Sequence, residues 1–118
     1  MREVDIAIIG AGPTGLFAAY YAGFRGLSVT VIDVLPEPGG QVTAMYPEKM
    51  IYDVAGFPAI KGRDLVANLV TQADAFRPEY LLGVRAEKLA FRDGRPVLSL
   101  GNGEVLRCGA IVITAGLG

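Results

Sequence analysis

The sequence carries a glycine-rich turn at residues 10–15, Gly-Ala-Gly-Pro-Thr-Gly, which matches the spacing G-x-G-x-x-G. Glycines at this spacing let a chain turn tightly and bring backbone amides against a phosphate group. We assign the tight turn to Gly10, the approach of a pyrophosphate to Gly12, and the contact between helix and strand to Gly15. The Thr14 hydroxyl is a further hydrogen-bond donor available to the phosphate. The alternative is a strand and a helix joined by glycines without any ligand.

An acidic residue, Asp33, follows the glycine turn by about twenty residues, which is the usual spacing of the acid that binds ribose hydroxyls. Its carboxylate would repel a 2′-phosphate, so we expect FAD or NAD at this site and not NADP. The alternative is a solvated acid at the end of a strand.

A second pair of glycines lies in the long segment that follows, as Gly39-Gly40-Gln41. Glutamine both donates and accepts hydrogen bonds, which a flavin ring requires at its carbonyls and ring nitrogens. Tyr46 and Tyr52 are able to stack on such a ring, but packing in the core is the favoured interpretation. Cys108 beside an apolar run is predicted to be a small core residue.

Composition excludes several kinds of chemistry. The chain has 118 residues, no histidine, one cysteine and a net charge of -1. A Ser-His-Asp triad, a histidine metal site and an internal disulfide are therefore impossible within it. Balanced charge gives no reason to expect nucleic acid. The longest apolar run, Leu16–Phe24, is far shorter than the roughly 20 residues of a membrane span, so we expect no membrane and a cytoplasmic location.

The elements that must position the glycine turn follow from hydrophobic patterning. Val4–Ile9 and Ser28–Ile32 are short runs rich in β-branched residues, which indicate strands buried on both faces. Residues 13–25 between them have helical spacing, with Pro13 in the first turn and Gly26 after the end. The sequence therefore predicts a βαβ unit.

The rest of the chain divides into a long irregular segment and further elements. Val34–Ala59 contains Pro and Gly throughout and is predicted to form a functional loop. A helix is predicted over residues 62–76. The predicted strands after it are Glu79–Leu82, then a small antiparallel meander of Ala86–Arg92, Arg95–Leu100 and Glu104–Arg107, and a buried final strand at Gly109–Thr114.

These residues together resemble a known family. Residues 10–15, Asp33, Gly39-Gly40-Gln41 and the terminal Ile113-Thr114-Ala115-Gly116 resemble the FAD-binding domain of thioredoxin-reductase-like flavoproteins. The stretch from Tyr46 to Pro58 is more specific, because it resembles the ferredoxin/flavodoxin–NADP reductases of that type. The resemblance implies an α/β fold: a three-layer, Rossmann-like FAD/NAD(P)-binding domain with a parallel sheet and a small antiparallel meander.

The resemblance also implies roles for particular residues. Gly12 and Thr14 would contact the pyrophosphate of FAD, and Asp33 the adenosine ribose. Gln41 and Tyr46 would contact the flavin side. Gly40 would let the backbone approach the flavin side, and the backbone of Ala86 would contact the adenine. Gly116 would be the turn at which the chain crosses over to a nicotinamide domain. The implied cofactor-binding set is Gly10, Gly12, Thr14, Asp33, Gly40, Gln41, Tyr46, Ala86 and Gly116, with no catalytic side chain and no metal ligand.

The function implied is an FAD-dependent oxidoreductase that transfers electrons between NADPH and ferredoxin or flavodoxin. Residues 1–118 would form the N-terminal part of its FAD-binding domain, and NADPH would bind a domain outside this chain. The glycine-rich end after a buried strand favours a fragment of a larger, two-domain flavoprotein, which the family implies is a homodimer. A thioredoxin reductase-like flavoprotein, a non-catalytic nucleotide-binding module and a purely structural domain remain the alternatives.

Overall fold

The computed structural model describes residues 1–116, which form a mixed α/β fold around one large sheet. Its helices are α1 (Pro13–Phe24), α2 (Gly40–Met45) and α3 (Gly62–Asp74). Its strands are β1 (Arg2–Ile9), β2 (Val29–Asp33), β3 (Met50–Ile51), β4 (Ile60–Lys61), β5 (Glu79–Leu82), β6 (Ala86–Arg92), β7 (Arg95–Leu100) and β8 (Val105–Ile113).

The six-stranded sheet has the order β5-β2-β1-β8-β7-β6. The first four of these strands run parallel, and β7 and β6 continue the sheet as antiparallel neighbours of β8. Strands β3 and β4 pair separately as a short antiparallel ribbon. The predicted βαβ unit is confirmed, since β1 and β2 pair in parallel on either side of α1 in the chain.

Apolar side chains on both faces of the parallel strands form the core. On one face, Ile8 and Val31 pack with Ala19 of α1 and Ala73 of α3. On the other face, their chain neighbours Ala7 and Ile32 pack with residues of the meander, including Leu98, Leu100, Leu106 and Cys108. Successive side chains of a strand point to opposite faces, so strands buried on both sides need continuous apolar runs. The helices therefore cover one face of the parallel strands, and the meander, which continues the sheet beyond β8, packs against the other face, so the fold has three layers.

The prediction of two separate strands at Glu104–Arg107 and Gly109–Thr114 was wrong. A single strand, β8, runs through both. Its first half pairs with β7, and it pairs with β1 along most of its length. Gly109 does not break the strand; a Cβ there would lie 2.6 Å from the carbonyl oxygen of Asp5, so the glycine permits close approach to β1.

The long segment Val34–Ala59 also contains more regular structure than predicted. It includes α2 and β3, and a single bridge joins Val54 to Phe57. Val42 of α2 is buried against Leu16 of α1 and Val66 of α3. This short helix is therefore stabilised by packing against two longer helices, because six residues are too few to form a stable helix in isolation.

Candidate functional site

The parallel strands β1, β2, β5 and β8 end at the same edge of the sheet, where a cleft of about 380 Å³ opens. Ligands of open α/β sheets bind outside the carboxyl ends of the strands. Every residue of the predicted cofactor-binding set lines this cleft, namely Gly10, Gly12, Thr14, Asp33, Gly40, Gln41, Tyr46, Ala86 and Gly116. The structure thus brings the set together, and its role in binding a cofactor stays a prediction.

Two glycines of the turn are required by the backbone geometry. Gly10 has φ +112°, a conformation that other residues rarely adopt. A Cβ on Gly15 would overlap the carbonyl oxygen of Gly10, so only glycine lets α1 start this close to β1. Gly12 differs, because the nearest atom to its added Cβ would be the Cα of Gly40, at 3.9 Å. A side chain at Gly12 would therefore clash with no protein atom but would occupy space in the cleft.

The amino terminus of α1 presents backbone donors at the cleft. Gly12 is the N-cap residue, Pro13 has no N–H, and Leu16 donates to the Gly12 carbonyl at 2.9 Å. Among residues 1–116, the amides of Gly12 and Thr14 have no hydrogen-bond acceptor. Free amides and the positive end of the helix dipole together favour an anion at this position.

The Asp33 carboxylate is held between two backbone amides. Its Oδ2 accepts from the amide of Ala11 at 2.7 Å, and its Oδ1 accepts from the amide of Leu35 at 2.9 Å. A carboxylate has about four acceptor positions, so about two remain for a ligand. Asp33 is half-buried, lines the cleft and is therefore oriented to accept hydrogen bonds from ribose hydroxyls.

The second pair of glycines lies against the glycine turn. The amide of Gly39 donates to the carbonyl of Ala11 at 2.7 Å, and an added Cβ on Gly40 would lie 3.1 Å from the Cα of Gly12. Both Gly39, with φ +113°, and Gly40, with φ +56°, adopt left-handed conformations. The prediction of a loop was wrong at one point, since Gly40 and Gln41 begin α2.

The prediction that Tyr46 and Tyr52 pack in the core was wrong. Tyr46 is 40% exposed and Tyr52 is 71% exposed. Tyr46 lines the cleft, and the Nζ of Lys49 lies 5.6 Å from the centre of its ring. Tyr52 does not line the cleft. Tyr46 is therefore the tyrosine placed to contact a planar ring.

The far wall of the cleft is formed where the chain passes from β5 to β6. The amide of Val84 donates to the Asp33 carbonyl and that of Gly83 to the Leu35 carbonyl, each at 3.0 Å. Ala86, which opens β6, follows directly. Several residues that line the cleft were not among the predicted site residues, namely Ile9, Pro13, Ile32, Val34, Leu35, Val42, Val84, Arg85, Thr114 and Ala115. For most of them the available signal was a position at or just after the end of a parallel strand, whereas Pro13 lies in α1 and Val42 in α2.

Other features of the described residues place no further reactive group at the cleft. Cys108 is fully buried, as predicted, and burial raises the pKa of its thiol. No cluster of three or more His, Cys, Asp or Glu able to hold a metal occurs in residues 1–116. Over the same residues, no helix combines the length and apolar character needed to cross a bilayer. The residues that line the cleft offer binding groups only: backbone amides, the Asp33 carboxylate, the Tyr46 phenol, the Gln41 amide, the hydroxyls of Thr14 and Thr114, and the Arg85 guanidinium.

Comparison with known families identifies residues 8–64 as matching an NAD(P)-binding Rossmann-like domain. That stretch includes the last two residues of β1, the glycine turn, α1, β2 with Asp33, and α2.

Curated relatives match the chain along its length. It is 78% identical over 118 residues to a protein of Salinispora tropica named ferredoxin–NADP reductase. It is 52% identical over 116 residues to a protein of Thermus thermophilus of the same name. These alignments cover all or nearly all of this chain but only 37% and 35% of the relatives, so the chain spans little more than a third of their length.

Solved structures show the same fold. Thioredoxin reductase from Streptococcus pyogenes superposes with a TM-score of 0.81 at 26% identity, over 95% of this chain and 35% of that one. An open form of cyclohexanone monooxygenase superposes with a TM-score of 0.80 at 22% identity, over 99% of this chain and 27% of that one, which is a likeness of fold alone. Along its whole length, the chain is therefore similar to little more than a third of proteins named ferredoxin–NADP reductase, and it shares its fold with part of a thioredoxin reductase.

Proposed function

We propose that the cleft binds FAD and that this chain forms the N-terminal part of an FAD-binding domain. The enzyme containing it would transfer electrons between NADPH and ferredoxin or flavodoxin. The observation that carries the proposal is the pair of amides at Gly12 and Thr14, which have no acceptor among residues 1–116, beside the fixed carboxylate of Asp33.

The ADP half of the cofactor fits the residues of the glycine turn. Its pyrophosphate would accept hydrogen bonds from the amides of Gly12 and Thr14 at the positive end of α1. Its ribose hydroxyls would donate to the free acceptor positions of Asp33. The backbone beside Ala86 is available to the adenine, on the wall formed by the β5–β6 connection.

The flavin half would extend toward α2. Gly40 brings backbone close to the glycine turn, and Gln41 supplies both a donor and an acceptor at the cleft. The half-exposed ring of Tyr46 offers a face for stacking. A bound flavin supplies hydride and single-electron chemistry, and these residues hold and orient it.

NADPH would bind outside this cleft. The Asp33 carboxylate is fixed by two amides and cannot turn away from a 2′-phosphate without losing both bonds. The negative carboxylate would repel a negatively charged 2′-phosphate beside it, which disfavours NADP at this position. We therefore assign NADPH to a part of the enzyme outside this chain, and ferredoxin or flavodoxin to the same complete protein. The homodimer and the cytoplasmic location stay predictions.

A direct test is to titrate the purified chain with FAD, ADP, FMN, NAD and NADP, with calorimetry and flavin fluorescence as readouts. We expect FAD and ADP to bind, FMN to bind weakly because it lacks the ADP half, and NADP to bind weakly because of Asp33. NAD is the competing ligand, since the matched domain family is named for NAD(P). Tighter binding of NAD than of FAD would overturn the assignment of the cofactor.

Activity is tested in a hybrid reductase, in which this chain replaces the matching segment of the Salinispora tropica protein. Identity of 78% over the whole chain makes this replacement conservative. We expect the hybrid to retain FAD and to reduce ferredoxin with NADPH. A folded hybrid that binds ADP but lacks turnover would favour the non-catalytic nucleotide-binding module.

A thioredoxin reductase-like enzyme is the second candidate, because such an enzyme shares this fold at 26% identity. Cys108 cannot provide its dithiol, since it is the single cysteine of the chain and is buried beneath the meander. Reduction of a disulfide substrate by the hybrid, without reduction of ferredoxin, would support this candidate.

A further inference from the structure

Thr114, the residue directly after β8, is bonded to the backbone that leads into the glycine turn. Its amide donates to the Ile9 carbonyl at 2.8 Å. Its hydroxyl Oγ1 lies 3.1 Å from the carbonyl oxygens of both Ile9 and Gly10. A hydroxyl has one hydrogen, so the two carbonyls share it as a three-centre bond.

The same hydroxyl occupies the space that two glycines leave empty. An added Cβ on Gly10 would lie 2.7 Å from Oγ1 of Thr114, and an added Cβ on Gly15 would lie 2.8 Å from it. Gly10 and Gly15 are both buried, and Thr114 is half-buried. Thr114, Gly10 and Gly15 therefore form one packed unit, which we call the turn lock.

The turn lock sits directly behind the amides assigned to the phosphates. Gly12 and Thr14 lie between Gly10 and Gly15 in the chain, so contacts of Thr114 with both ends of the turn restrict the conformations open to the backbone between them. A turn that is already ordered pays less conformational entropy when a ligand binds.

We propose that Thr114 is a positioning residue for the cofactor's pyrophosphate, acting through the carbonyl of Gly10. This inference rests on the proposed function, because it presumes phosphate at the amides of Gly12 and Thr14. Thr114 itself donates its hydroxyl to the backbone and not to the ligand.

The test compares Thr114→Val, which removes the hydroxyl and keeps the β-branched shape, with Thr114→Ser, which keeps the hydroxyl. The affinities of ADP and of adenosine are measured by calorimetry for the wild-type chain and both variants. We expect Thr114→Val to weaken ADP binding roughly threefold to tenfold, the effect of losing one hydrogen bond. Adenosine affinity should stay unchanged, and Thr114→Ser should bind ADP within about twofold of wild type.

The ratio of ADP to adenosine affinity separates positioning from a merely structural role. A structural role predicts a lower melting temperature with an unchanged ratio, and that result would overturn the inference. If Thr114→Val does not fold, the pair Thr114→Ala and Thr114→Ser answers the same question. A second measurement is the fraction of FAD that the hybrid reductase retains on gel filtration, which should fall for Thr114→Val and recover for Thr114→Ser.

Failure of the proposed function gives a different pattern. In that case wild-type chain would bind ADP no better than adenosine, and no variant would change either affinity. If wild type prefers ADP over adenosine and Thr114→Val keeps the same ratio of affinities, the proposed function is still supported and only the positioning role of Thr114 is overturned.

Discussion

The Asp33 carboxylate accepts a 2.7 Å hydrogen bond from the amide of Ala11, the second residue of the glycine turn. The acid assigned to the ribose and the turn assigned to the phosphates are thus joined before any ligand arrives. The carbonyl of Ala11 in turn accepts from Gly39 at 2.7 Å, which attaches the start of α2. The peptide groups around Ala11 therefore connect the three parts of the cleft.

We predict that Asp33→Asn weakens ADP binding by roughly tenfold or more, because hydrogen bonds to a charged acceptor are stronger than those to a neutral one. The same variant should narrow the preference for ADP over its 2′-phosphorylated form, since the repelling charge is gone. Calorimetry with both ligands measures each effect. Asp93→Asn is the matched control, because Asp93 is 88% exposed and does not line the cleft. An unchanged preference in Asp33→Asn would contradict the assignment.

We predict opposite outcomes for two substitutions in the same turn. Gly12→Ala should leave the free energy of unfolding within about 0.5 kcal/mol of wild type, because its Cβ meets no atom closer than 3.9 Å. It should nevertheless weaken ADP binding by roughly tenfold, because the methyl group stands where phosphate approaches. Gly15→Ala should lower the free energy of unfolding by roughly 1–3 kcal/mol through overpacking against Gly10. Urea unfolding and calorimetry separate the two effects, and a stable Gly15→Ala would refute the packing argument.

We predict that acid weakens the contact between Arg2 and the turn before β8. Arg2 donates to Glu104 at 2.6 Å and also pairs with Glu79. The bond from Arg2, and then that from Asn102, lowers the pKa of the Glu104 carboxyl. A lowered native pKa adds stability that is present above the ordinary value of about 4.3 and is lost as the pH falls through the native value.

The urea midpoint measured from pH 7 to pH 3 checks this dependence. Glu104→Gln should flatten the fall below about pH 4.3, and at neutral pH it should change stability little, since the pair is exposed. Glu3→Gln is the control, because Glu3 forms no ion pair among residues 1–116. Identical profiles for wild type and Glu104→Gln would contradict the prediction.

We predict that the Cys108 thiol reacts with an aromatic disulfide reagent only when the fold opens. Cys108 is inaccessible, and burial raises its pKa, so both access and thiolate are lacking. Its labelling at pH 8 should be at least about 100-fold slower than that of a cysteine introduced by Asp93→Cys in a Cys108→Ala background. Addition of urea should abolish the difference. Equal rates in the native proteins would show that the meander does not cover this residue.

The features of the site that could be predicted are those formed by residues close together in the sequence. The glycine spacing and the position of Asp33 after β2 are local, because one βαβ unit holds both. The rest depends on contacts between distant segments. Helix α2 exists through the burial of Val42 against Leu16 and Val66, which no local pattern in a segment rich in Pro and Gly reveals.

That β8 is one unbroken strand could not be predicted for a related reason. Gly109 reads as a break in the sequence, yet its role is the close approach to Asp5 on β1. The contact between Thr114 and Gly10 depends on the pairing of β8 with β1, which brings the Thr114 hydroxyl against the Gly10 carbonyl, so it could not be predicted from the local sequence. Exposure of Tyr46 was likewise not predictable, since an aromatic residue is more often buried than not.

Strand β8 has one more consequence, which concerns cooperativity. Leu106 and Arg107 are hydrogen-bonded neighbours of β1 on one side and of β7 on the other, and the same strand ends at Ile113, directly before Thr114. Opening of β8 would therefore disturb both the meander and the backbone beside the glycine turn, because β8 pairs with β7 and with β1. Amide hydrogens of β7 and of β1 should exchange with deuterium in a single opening event, so the chain behaves as one foldon.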